Sequence, residues 1–282
     1  MEIKKVINNN LVKSVNDKNQ EVLVMGCGLG FKKIVGDTID ETKIEKIYIA
    51  NDKETSNKET SNKMVTLLEK VPIEHIQTAN EIISFAKVSL GKKLNDNIYL
   101  TLTDHISFAF ERSKQGIQIK NALLWEIKRF YNHEFFIGKE SLSIIKKHLG
   151  IELPEDEAGF ITLHIVSVLM GSSTVGETVE MTKVIQNILN IVKYYFNVEF
   201  DEYSLHYERF LTHLKFFVQR VFSGVEIDDD DKNFLLVLKE QYKNEYKCAL
   251  KIRDYINKEY GYDLTEDEMV YITVHIKRVT TK

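Results

Sequence analysis

Residues 150–165 read GIELPEDEAGFITLHI, and residues 261–276 read GYDLTEDEMVYITVHI. The stretches lie 111 residues apart (261 − 150) and agree at nine of sixteen positions. Agreement at that level marks two copies of one structural unit. Thr265 and Glu268 have the spacing of a capping box, which predicts a helix beginning just before Met269. In the first copy Pro154 precedes Glu155, Asp156 and Glu157, again a composition suited to a helix start. One shared position is a histidine: His164 matches His275, each about two turns into a largely apolar helix.

A second correspondence runs at an offset of 108. His105, Phe108 and Arg112 match His213, Phe216 and Arg220, a histidine with Phe at +3 and Arg at +7. On a helix these positions share a face, so the arginine sits near a group that could become anionic. His75, His133, His148 and His206 have no partner in the other copy. The duplication therefore separates His105, His164, His213 and His275 from the rest.

Four repeated histidines fit several chemistries. They could be core residues satisfied by hydrogen bonds, metal ligands, or general acids and bases. Neither copy has the two-histidine helical pair or the cysteines of common zinc sites, and no nucleophile, glycine-rich phosphate loop or carboxylate pair stands out. A phosphoacceptor role fits best: neutral imidazole is nucleophilic near neutral pH, and a phosphoryl group would place about −1.5 to −2 charges at a helix contact. No metal, cofactor or enzymatic activity is expected.

The remaining chain supports a multidomain reading. Its 282 residues are 43% hydrophobic and 28% charged, enough for more than one core. Val6-Ile7, Leu11-Val12, residues 22–25 and residues 44–49 are short apolar runs separated by Asn and Gly, which predicts hairpins. So small a sheet buries little area, and a dimer covering one face is the natural remedy. Residues 51–63 are polar and contain Lys-Glu-Thr-Ser-Asn twice in tandem, at 53–57 and 58–62, which reads as a hinge. From Met64 onward apolar residues recur with helical period, and the only prolines are Pro72 and Pro154. Ala122, Leu123, Trp125, Ile127 and Phe130 fall on one such face, with Trp125 as a core anchor. The expected fold is a small antiparallel β-sheet domain followed by two homologous all-α bundles. The expected boundaries are 1–55, a linker at 56–63, then 64–171 and 172–282.

Charge and targeting narrow the setting. The net charge of −4 excludes a broadly basic nucleic-acid binder, so any such surface is local. Residues 1–35 hold six lysines against three acids. Met1-Glu2-Ile3-Lys4-Lys5 lacks the apolar region of a signal peptide, and no stretch has the length of a membrane span. Only Cys27 and Cys248 are present. A cytoplasmic protein without membrane insertion is expected. The acidic run Asp228 to Asp231 lacks the spacing of a calcium loop and reads as a solvated connector.

Val6-Ile7-Asn8-Asn9-Asn10, MGCGLGFKKIVGD at 25–37, Thr103-Asp104-His105, Asp156-Glu157-Ala158-Gly159-Phe160 and RFLTHLKFF at 209–217 together resemble the bacterial antiterminators of the beta-glucoside and sucrose operons. The resemblance spans essentially the whole chain. It implies an N-terminal co-antiterminator (CAT) domain that dimerises and binds an RNA hairpin in an mRNA leader, so that an overlapping terminator cannot form. It further implies two regulation domains read by the sugar phosphotransferase system. Residues matching the RNA-contacting segments are Lys5, Asn8, Asn10, Gly26 and Phe31, whose types suit phosphate contact, base-edge reading, close backbone approach and base stacking. Some members carry a basic residue where this chain has Cys27, which removes one contact to RNA. The family's phosphohistidines match His105, His164, His213 and His275. By the same resemblance the first domain is phosphorylated by a sugar-specific enzyme II, which restrains activity, and the second by the carrier protein HPr, which promotes it. A DNA-binding activator with the same regulation domains is the alternative; it would need a helix-turn-helix where the first fifty residues read as strands.

Overall fold

In a computed structural model, residues 1–9, 11–26, 28–44, 46–49, 71–224 and 240–281 are described. Asn10, Cys27, the tandem repeat at 53–62, the linker at 56–63 and the acidic run at 228–231 lie outside them. Strands β1 (Lys5–Asn8), β2 (Leu11–Val15), β3 (Glu21–Met25) and β4 (Lys46–Ile49) form an antiparallel meander in chain order. These are the four runs expected as strands. The register pairs Leu11 with Met25, Val12 with Val24 and Ser14 with Val22. With side chains alternating, Val12, Val22 and Val24 face one side. There they pack with Ile3, Leu29 and Ile39. Leu11, Leu23 and Met25 face the other side and pack with Ile76.

Among the described residues, the central strands β2 and β3 are thus covered on both faces within the chain. The expectation that one bare face calls for a second copy is not what the burial shows: Leu11, Leu23 and Met25 are at most 2% exposed. The helix that brings Ile76 supplies the cover that the sequence argument had looked for in a partner.

The helices are α1 (Ile73–Leu90), α2 (Asn97–Lys114), α3 (Leu124–Phe130), α4 (Asn132–Leu149), α5 (Glu155–Met170), α6 (Val175–Phe196), α7 (Leu205–Ser223), α8 (Lys243–Tyr260) and α9 (Glu266–Thr280). The chain divides into two compact units. One comprises Met1–Asn121 with His133–Leu169, and the other Ala122–Asn132 with Met170–Lys282. Helix α3 therefore belongs with the second unit, although residues on both sides of it belong to the first.

The first bundle is cored by Ile82, Ile83, Ile98, Leu102, Ile106, Ile137, Ile161 and Ile165. In the second unit the buried residues include Ile185, Ile188, Phe210, Phe217, Ile252 and Ile272. Cys248 lies among them on α8, and burial pushes its thiol up to about 12. The expected capping box at the start of α9 is present, with Thr265 and Glu268 bonded reciprocally.

Trp125 is not a core anchor. It is 55% exposed, and the Arg129 guanidinium lies 4.8 Å from its ring centroid. Helix α3 has only seven residues. Ile127 and Phe130, three apart, take its inward stripe, and Trp125, two before Ile127, points elsewhere.

Gly138 fixes how closely α4 and α5 approach. A Cβ at this position would stand 2.4 Å from the Ala158 carbonyl oxygen and 2.5 Å from the Thr162 hydroxyl. Gly138→Ala should destabilise the first bundle by about 1–3 kcal/mol through overpacking, despite alanine's better helix propensity. A lowered urea midpoint at unchanged m-value would report this.

Candidate functional site

The four histidines selected by duplication meet as two pairs, each across two helices. His105 on α2 faces His164 on α5, with ring centroids 4.9 Å apart. His213 on α7 faces His275 on α9, with centroids 4.3 Å apart. Each pair consists of one histidine from each repeated motif. Among the described residues, Nδ1 of both His164 and His275 is buried without a hydrogen-bond partner. The other four histidines have separate surroundings. His75 is buried against Phe110, His133 lies 3.3 Å from the Ser89 carbonyl, His148 contacts Glu81, and His206 is exposed.

One acidic residue in each copy organises the frame. Glu157 is 3% exposed; its Oε1 accepts from Arg112 Nη2 at 2.5 Å, and its Oε2 lies 3.1 Å from His105 Nε2. Burial alone would raise Glu157, but His105 and Arg112 outweigh it and hold the carboxyl below its ordinary value. Glu268, the repeat equivalent, is also 3% exposed and accepts from Arg220 Nε at 3.2 Å. It further accepts from the Tyr262 hydroxyl and the Thr265 amide. Arginine at +7 thus engages a carboxylate that the sequence reading left unassigned. The signal was available, because Glu157 and Glu268 are among the nine shared positions. His213 instead has its Nδ1 against the Tyr271 hydroxyl.

The buried members are held neutral. Burial first, then the charge of His105, brings His164 down to about 3. Burial, then His213, Arg278 and Arg209, brings His275 to about 4. A neutral imidazole with an unprotonated nitrogen keeps the lone pair that a phosphoacceptor requires.

The candidate RNA residues fall on the sheet end and its loop. Lys5 is exposed on β1, paired in register with Lys13. Asn8 ends β1 beside a register shift, and Asn10 lies outside the described residues. Gly30 N donates to the Asn9 carbonyl at 2.8 Å, which draws the 26–31 loop to the hairpin tip. Phe31 on that loop is 56% exposed, with Lys32 Nζ 5.3 Å from its ring centroid, so it is not a core residue. Ile34 and Val35 continue the exposed apolar surface. Gly26 is buried, and a Cβ there would stand 1.8 Å from the Lys43 carbonyl oxygen. Its lack of a side chain therefore already serves packing.

Two measurements check this geometry. Arg112→Ala strands a buried carboxylate and should cost about 3 kcal/mol, whereas Arg220→Ala should cost less because Glu268 keeps two other donors. Denaturant titration of both variants compares them. The histidines give a pH dependence of known sign. Unfolded, both would titrate near 6.5; folded, near 3 for His164 and 4 for His275. In that interval the unfolded chain binds more protons, so this stability is complete above pH 6.5 and is lost as pH falls. Melting temperature should drop between pH about 7 and about 5, with a shallower slope in His275→Gln.

Comparison with known proteins places the chain. The CAT RNA binding domain matches residues 1–57, and the PRD domain matches twice, at 80–168 and 186–279. Transcription antiterminator LicT of Bacillus subtilis is 52% identical, over 99% of both chains. The beta-glucoside operon antiterminator of Dickeya chrysanthemi is 44% identical, over 100% of this chain and 98% of its own. The crystal structure of GlcT CAT-PRDI covers 60% of this chain and 97% of its own, at 34% identity and a TM-score of 0.51. The first two relatives are named as antiterminators. A CAT domain at the head of the chain, two PRD repeats behind it and full-length identity to named antiterminators mean that the chain belongs to the family of CAT–PRD transcription antiterminators.

Proposed function

We propose that this protein binds a hairpin in a nascent mRNA leader through its N-terminal sheet and thereby prevents an overlapping terminator from forming. It acts as a homodimer in the cytoplasm. Phosphorylation of His105, His164, His213 and His275 sets its activity. HPr phosphorylates the second regulation domain and a sugar-specific enzyme II the first. Neither metal nor cofactor takes part.

The observation that carries the switch is the meeting of duplicated histidines in two cross-helix pairs, 4.9 and 4.3 Å apart. A dianion introduced at either contact must be accommodated among packed apolar side chains. Such a change repacks helices rather than deforming them smoothly. Of the described histidines outside the pairs, His75, His133 and His148 face Phe110, Ser89 and Glu81 rather than a second histidine.

The RNA reading rests on the exposed Phe31, its neighbouring lysines and the hydrogen bond joining its loop to the hairpin tip. A base can stack on an exposed ring at about 1–3 kcal/mol. In gel shifts with a leader hairpin, Phe31→Ala should weaken binding about tenfold or more. Absence of binding by the full chain to any cognate hairpin at low salt would reject the RNA reading.

A further inference from the structure

The two histidine pairs share a backbone frame but not a charge environment. In the first domain Asp104 precedes His105, and the Glu157 carboxylate stands 3.1 Å from its ring nitrogen. In the second domain the residue matching Asp104 is Thr212, and Glu268 is engaged by Arg220, Tyr262 and the Thr265 amide. Two further positions differ in the same sense. Arg209 stands where the first domain has Thr101, and Arg278 where it has Ser167.

Arg209 lies four residues before His213 on α7, and Arg278 lies three residues after His275 on α9. Residues three or four apart share a helix face, so each arginine flanks one member of the pair from its own helix. Both side chains are exposed. Among the described residues, neither is engaged in an ion pair or side-chain hydrogen bond. After burial, the positive charge of each helps hold both His213 and His275 below the ordinary histidine value, so the rings feel both guanidinium groups.

We infer that Arg209 and Arg278 form a phosphate clamp that retains the phosphoryl group on the second histidine pair, and that the first pair, lacking it and facing Glu157, releases its phosphoryl group more readily. The inference rests on the phosphoacceptor reading above. In the transfer step the donor's P–N bond breaks as a P–N bond forms at the attacking imidazole, and the proton that imidazole sheds passes through solvent to the departing group. In the release step water adds to phosphorus, the P–N bond breaks, the ring nitrogen takes a proton and inorganic phosphate leaves. Guanidinium groups stabilise the phosphorylated form by charge-assisted hydrogen bonds, whereas a neighbouring carboxylate repels it. The second domain would then hold a lasting mark and the first a transient one.

The full chain would be phosphorylated with phosphoramidate, freed of reagent, and followed by mass spectrometry of peptides carrying each histidine. Phosphate on His213 or His275 should outlast that on His105 or His164 by about fivefold, the scale of one exposed charge pair. In Arg209→Gln with Arg278→Gln that advantage should shrink while the lifetime on the first pair stays unchanged, and Arg209→Lys in place of Arg209→Gln should restore part of it. Equal lifetimes in the two domains, or an undiminished lifetime in the double glutamine variant, would overturn the clamp while leaving the phosphoacceptor reading intact. No label on any of the four histidines, under conditions that phosphorylate free imidazole, would overturn both.

Discussion

A buried carboxylate cannot remain charged in a helix bundle without a fixed counter-charge, and that constraint shapes both regulation domains. Glu157 reaches its arginine only if α2 and α5 approach in one register, and Glu268 requires the same of α7 and α9. Once the register is set, His105 must face His164 and His213 must face His275, because each histidine lies seven residues from its own arginine or glutamate. A buried ion pair of this kind is weak as net stabilisation but strict about geometry. The frame holds the imidazole rings of each pair face to face.

The N-terminal sheet solves a different problem. A four-stranded meander exposes two faces; here Ile3, Leu29 and Ile39 pack on one, and Ile76, from a helix far along the chain, packs on the other. What remains uncovered is the loop after β3, where Phe31, Ile34 and Val35 face outward. Apolar side chains left exposed on a loop, beside lysines, suit a flat aromatic ligand better than a protein core.

Much of this architecture was legible in the residues. The strands followed from short apolar runs punctuated by Asn and Gly, and the capping box of α9 followed from Thr265 and Glu268 alone. Duplication singled out the four histidines, but that they meet as His105 with His164 and His213 with His275 came only with the fold, because the repeat does not say which helices cross. The errors have physical causes. Trp125 was misplaced because a seven-residue helix buries only two residues of its stripe, Ile127 and Phe130, so a run of apolar residues overstates the buried face. The Glu157 and Glu268 roles were missed because acids at a helix start are already explained by the helix dipole. The bare sheet face was misjudged because the covering residue, Ile76, lies some fifty positions beyond β3.

Cys248 gives the second unit an internal witness. Its thiol is fully buried on the same helix as the buried Ile252 and Ile256, and reacts as thiolate only when α8 is exposed to solvent. The rate at which an alkylating reagent labels it therefore measures how often that bundle opens around α8, without any introduced probe. If phosphorylation works by repacking helices, the same clock should run at a different speed in each state of the switch.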